Sequence, residues 1–244
     1  MSEQPDDDRT PQTYHYIFTF PNGKRREFTI RLDPKTLALL PEERPRPAWT
    51  KLSYQKCPNC PLQEARHEYC PAAVSLIGVA DLFKGSLSYE EVEVCVETET
   101  RRYVKRTTLQ KGLSSLIGLY MVTSGCPVVG KLRPMASQHL PFAKLEETKY
   151  RVLSMYLLAQ YFLARHGERP DWTFERLVKI YEDIQTVNQH FSKRLLDITT
   201  GDANLNALTI LNIFADTISF SIDENLLGEI EGLFQPYFES RSHE

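Results

Sequence analysis

The chain has 244 residues, of which 41% are hydrophobic and 25% charged, with a formal net charge of −3. Such a chain can bury a substantial core, and its slight acidity excludes any global attraction to nucleic acid or an anionic membrane. Its five cysteines, an odd number, argue against a complete disulfide framework.

Residues 1–12 are acidic and polar with two prolines, which predicts a disordered tail; lacking an apolar core, the tail is not a secretory leader. "TYHYIFTF" then alternates, placing Tyr14, Tyr16, Phe18 and Phe20 on one face. Asn22-Gly23 follows, a strong hairpin signal because both residues tolerate positive φ. The return strand "REFTIRL" aligns Phe28, Ile30 and Leu32. Residues 33–56 are proline-rich and read as an irregular connection.

The segment "KCPNCPLQEARHEYCP" comes next, and "PAAVSLIGVADLFKG" (71–85) reads as a buried helix with Pro71 in its first turn and Gly85 at its stop. A second hairpin follows: Val92, Val94 and Val96 line one face of "EEVEVCVETE", and "RRYVKRTTLQ" returns. From residue 111 onward the pattern is helical. It comprises a short apolar helix over 111–123, a long one ending at Gly167, and a third with Asp171 as its N-cap. Two more helices begin at Asp202 and Asp223. The fold class is therefore α+β: an antiparallel sheet from two hairpins (ββαββ) packed against a C-terminal bundle of about five helices. Three stretches follow: a tail over 1–12, a β-rich part over 13–110 and a helical part over 111–244. The longest apolar run, around "MYLLAQYFLA", is broken by Gln160 and falls short of a bilayer span. A cytoplasmic location and reduced thiols are expected.

Four of the five cysteines precede a proline: Cys57, Cys60, Cys70 and Cys126. Proline biases the preceding residue toward extended backbone, so these thiols belong on loops and element ends. Cys57 and Cys60 have a spacing that lets two sulfurs reach one metal, and Cys70 falls at a helix start, where the dipole favours thiolate. With Cys126 as fourth ligand, the pattern predicts one structural or regulatory metal, either zinc or an iron–sulfur cluster. His67 and His139 are alternative ligands. Cys95 reads as an ordinary half-buried strand residue.

Other classes compete with this reading. Cys126 and His139 could form a nucleophile and base, with Glu146 or Glu147 orienting the imidazole; against that, those acids suit the first turn of a helix, and Glu147 can pair with Arg151 at i,i+4. Cys57 and Cys60 could be a redox pair, although Pro61 fits poorly with a helix-borne one. Arg101, Arg102, Lys105 and Arg106 beside Tyr103 read as a cross-strand charge face, and neither nucleic acid nor membrane is an expected partner. Asp202, Asn204 and Asn206 lack the rest of a calcium loop. A helical interaction module without any site is the third alternative.

Taken together, "CPNCPL", "CPAA", "LQKGLSSLIGLYMVTSGCP", "LRPMASQHLPFAKLEETKYR", "MYLLAQYF" and "DANLNAL" resemble a bacterial family catalogued only as a domain of unknown function. The resemblance covers most of the chain beyond residue 12. It implies a bacterial, cytoplasmic protein and transfers no activity. The chain carries no G-x-S-x-G, H-E-x-x-H, Walker A or dinucleotide-binding motif.

Overall fold

Strands β1 (Gln12–Thr19) and β2 (Arg25–Leu32) pair antiparallel, Tyr14 opposite Ile30 and Tyr16 opposite Phe28. The computed structural model describes residues 10–223 and 227–239, so most of the expected acidic tail lies outside the described residues. The loop between the strands is longer than a two-residue turn. Gly23 donates to Phe20 O and Phe20 donates to Lys24 O. Gly23 is left-handed at φ 80°, whereas Asn22 is not. That is a type I turn closed by a glycine, the three-to-four-residue alternative to the expected tight turn.

Strands β3 (Glu91–Glu97) and β4 (Arg102–Thr108) form the second hairpin. β3 pairs antiparallel with β1, giving the order β2-β1-β3-β4. Tyr14, Tyr16, Phe18, Phe28, Ile30, Leu32, Val92, Val94 and Val96 are all buried on one face. The other face carries the cross-strand charges: Arg102 meets Glu97 and Arg106 meets Glu93, each at 3.3 Å. Cys95 lies among them and accepts from Arg102 Nε at 3.1 Å.

Between the hairpins, the expected single helix is two: α1 (Pro71–Ser75) and α2 (Ile77–Phe83), with Leu76 leaving helical geometry between them. Helix α3 (Leu109–Thr123) crosses the apolar face of the sheet. It can approach because residue 112 is glycine: a Cβ there would lie 2.8 Å from Val94 Cγ2 and 3.0 Å from Phe18 Cε1. A 3₁₀ segment (Val129–Gln138) follows, then α4 (Leu145–Arg165), α5 (Glu175–Leu196), α6 (Ala203–Asp223) and the short α7 (Gly228–Gly232) and α8 (Gln235–Glu239). α4 ends as expected, with Gly167 at φ 81° donating to Ala164 O and Glu168 donating to Leu163 O. Helix α6 extends through Asp223, so that aspartate closes a helix instead of opening one.

Helix α6 packs against α3 and α5, and one hydrophobic cluster runs from the inner face of the sheet through all three. Over Ala203–Ile222 its mean hydropathy is 1.4, so by length and composition it is long and apolar enough to cross a membrane. The expectation that no run approaches that length is thereby corrected. The polar residues within Ala203–Ile222 are uncharged apart from Asp216, which keeps the mean hydropathy high. One side of α6 packs on α3 and α5, but only 33% of that stretch is buried, and Ile213 and Phe220 are exposed.

Candidate functional site

Two places gather chemically competent side chains. The first is a cavity of about 520 Å³ walled by β4, α3, the 3₁₀ segment, the start of α4, α5 and α6. Its floor is apolar, built from residues such as Met121, Leu132, Ile184, Phe214 and Ile218. The register of β4 puts Lys105 opposite Val94, hence on the inner face of the sheet at its edge, overlooking the cavity. Arg102 and Arg106 go to the outer face, so the basic run is divided between two surfaces. On α3, Lys111, Ser114, Ser115, Gly118 and Val122 recur at helical spacing along the cavity wall.

His139 sits deeper. Its Nε2 lies 2.6 Å from the Tyr16 hydroxyl, which also contacts Ser115 Oγ at 2.9 Å, and its ring meets Tyr14 edge-on. Burial, reinforced by the Arg151 charge, pushes the imidazole down to about 3. Burial likewise raises Tyr16 and Tyr181. Arg151 donates through Nη2 to Met135 O at 3.0 Å and Gln138 O at 2.8 Å. The i,i+4 ion pair expected between Glu147 and Arg151 therefore gives way to backbone carbonyls, while Glu147 caps α4 by accepting from Lys144 N at 2.7 Å. Phe142, in the connection that closes this end, is left-handed at φ 62°, a strained conformation for an aromatic residue.

The second place is the neighbourhood of the Cys-Pro loops. Cys60 N donates to Cys57 O, folding the C-x-x-C into one turn, and Cys70 N donates to Thr50 O at 2.8 Å. Pro71 opens α1 with Cys70 as an extended N-cap residue, as the sequence predicts. A Cβ on Gly125 would lie 3.9 Å from Pro71 Cβ, which brings Cys126 beside Cys70. The guanidinium of Arg194, only 2% exposed, donates to the carbonyls of Trp49 and Lys51 in the same region. Burial, then the neighbouring Cys70, Cys126 and Cys60, pushes Cys57 up to about 12, against an opposing pull from Arg194. Burial also raises Cys126, offset in part by the backbone N–H groups of Val129 and Val128.

Shared surroundings do not make a ligand set. All five cysteines are free thiols. Among the described residues no group of three or more His, Cys, Asp or Glu side chains could hold a metal ion. The expectation that Cys57, Cys60, Cys70 and Cys126 clamp zinc or an iron–sulfur cluster is overturned on that ground. Ligation needs deprotonated sulfurs converging on one point. The turns that bring the backbones together do not by themselves aim the sulfurs. The prolines have local roles: Pro71 starts α1 and Pro127 precedes the 3₁₀ segment. His67, the alternative ligand, is exposed.

Cys126 and His139 fall in different surroundings. The neighbours of Cys126 are Cys70 and Cys60, whereas the Nε2 of His139 is engaged by Tyr16. Asp202 accepts from Ser88 N at 2.7 Å, Ser88 Oγ at 2.9 Å and Asn206 Nδ2 at 2.9 Å, which ties the start of α6 to the loop before β3.

Residues 14–235 match the family described as Domain of unknown function (DUF6901). The chain belongs to that family. The matched span holds both Cys-Pro segments and the 139–142 "HLPF" connection beside the cavity. No curated protein and no solved structure matches the chain. The cavity itself escaped the sequence reading. Its walls come from six separated elements, and its only local trace was the face of small and polar residues on α3.

Proposed function

We propose that this DUF6901 chain is a binding protein for a small molecule with a largely apolar body, held in the 520 Å³ cavity. The observation that carries the proposal is the cavity's build. A preformed concave apolar floor meets a few convergent polar groups, His139, Asn188 and Arg151 among them, which is how small-molecule sites are made. The hollow opens to solvent, so its apolar lining is wetted, and an apolar body seated in it would release that water. The proposal includes a cytoplasmic location, supported by the five free thiols, which a reducing compartment preserves.

Gly118 lines the cavity, and a Cβ there would first meet Leu211 Cδ2 at 3.3 Å, the far end of a flexible side chain. Gly118→Leu therefore displaces the Leu211 side chain and takes up volume on the cavity wall, while improving helix propensity in α3. The neutral fluorophore N-phenyl-1-naphthylamine should bind the native chain saturably with enhanced emission. Gly118→Leu should weaken that binding at least about tenfold without loss of helical circular dichroism. Absence of saturable binding to the folded native chain would refute the proposal.

A further inference from the structure

We infer that the molecule held in the cavity is an anionic amphiphile: an alkyl or aromatic body ending in one carboxylate or phosphate-type head, its head at the cation-lined rim. This inference rests on the cavity being a ligand site, as proposed above.

The charge pattern of the lining carries it. Acids outnumber bases in this chain, 32 to 29. Yet four cationic side chains, Lys105, Lys111, Lys144 and Arg151, line the cavity, and no aspartate or glutamate does. The four come from three separate elements, β4, α3 and the start of α4, so no single basic run in the sequence produces the pattern. Among the described residues none of the four is ion-paired, whereas the nearby outer-face Arg102 and Arg106 both are. Arg151 is half-buried and anchored through Nη2 alone, leaving Nε and Nη1 as donors without a protein acceptor among the described residues.

An inward-pointing lysine on an edge strand also has a bland role, since such charges discourage edge-to-edge sheet pairing. Lys105 by itself fits that role. The set does not, because Lys111, Lys144 and Arg151 are on helical elements with no strand edge to protect. Four cations around an apolar hollow, offset in part by Glu147 acting on Arg151, bias its potential positive and raise the local concentration of anions. Leu211, Phe214 and Ile218 of α6 contribute apolar lining for the body of the ligand.

The test displaces bound N-phenyl-1-naphthylamine from the native chain with decanoate, decyl phosphate, decanol and decylamine, each below its micelle-forming concentration. Decanoate or decyl phosphate, whichever head the site prefers, should compete at least about tenfold better than decanol, with decylamine weakest. The anionic advantage should shrink between 50 and 500 mM salt, on the order of a few-fold for rim charges within screening range. In Lys105→Glu/Lys111→Glu it should vanish or reverse; should that variant fold poorly, Lys105→Gln/Lys111→Gln should reduce it. Equal competition by decanol and the two anions, with the fluorophore still bound, would overturn the anionic head and leave the cavity proposal standing. Failure of the fluorophore to bind the folded native chain would overturn both.

Discussion

His139 carries no charge at neutral pH, because burial beside Tyr14 and Tyr16 and the nearby Arg151 cation all disfavour the imidazolium. Its pKa is about 3 in the folded chain, against an ordinary value of 6.5. Between those two values the unfolded chain binds more protons than the folded one, so stability rises with pH across that window. The contribution is complete above pH 6.5 and is lost progressively as the pH falls toward 3. His190, also lowered by burial and Lys193, acts in the same direction. Urea unfolding should show the native chain losing about 1–2 kcal/mol more than His139→Asn between pH 7 and pH 5. Parallel pH slopes for the two would contradict this account. The same physics at Cys57 raises the thiol, up to about 12, which disfavours nucleophilic attack at neutral pH.

At the scale of elements, the corner between α4 and α5 is organised by Asp171. The sequence predicts it as the N-cap of the third long helix. Instead the helix begins at Glu175 with Phe174 as its N-cap residue, left-handed at φ 66°. Asp171 still serves that helix from four residues upstream, accepting from Arg176 N at 2.8 Å. It also accepts from Thr173 N, Thr173 Oγ1 and the Tyr156 hydroxyl of α4. Burial works against its charge, but these donors prevail and hold it down to about 2. Asp171→Ala removes the acceptor and strands a buried hydroxyl, so it should cost about 2–3 kcal/mol, measurable as a shift in urea midpoint. A cost below about 0.5 kcal/mol would show that the corner does not depend on it.

For the whole molecule, Arg194 fastens helix α5 to the loop that precedes the Cys-Pro segment. It reaches the carbonyls of Trp49 and Lys51, while Thr50 between them accepts from Cys70 N. Burial lowers its pKa, opposed by Cys70, Cys57 and Tyr54 around it. Arg194→Met keeps much of the apolar stem but leaves two carbonyls without that donor. It should destabilise the fold by about 2–4 kcal/mol. Because one hydrophobic cluster joins the sheet to α3, α5 and α6, far-ultraviolet circular dichroism and Trp49 fluorescence, read in a Trp172→Phe background, should move together in that unfolding. Separate transitions would mean that the β-rich and helical parts unfold independently.

How much of this was legible in the chain depends on the range of the forces involved. Alternation of Tyr14, Tyr16 and Phe18 specified a strand and its buried face, and Gly167 specified a helix end, because pleat and positive φ are properties of a few adjacent residues. The Cys-Pro steps likewise announced extended backbone and the start of α1. Neither the pairing of β1 with β3 nor the burial of Arg194 has such a local signature. The same holds for the thiols: loop positions followed from proline, but whether sulfurs converge depends on side-chain directions set by packing across residues 57–126. The cavity is the extreme case. Lys105, Lys111, Lys144 and Arg151 read in sequence as scattered surface charges. They face one hollow only because the β4 register, the rotation of α3 and the seat of α4 are each settled by long-range burial against a common core.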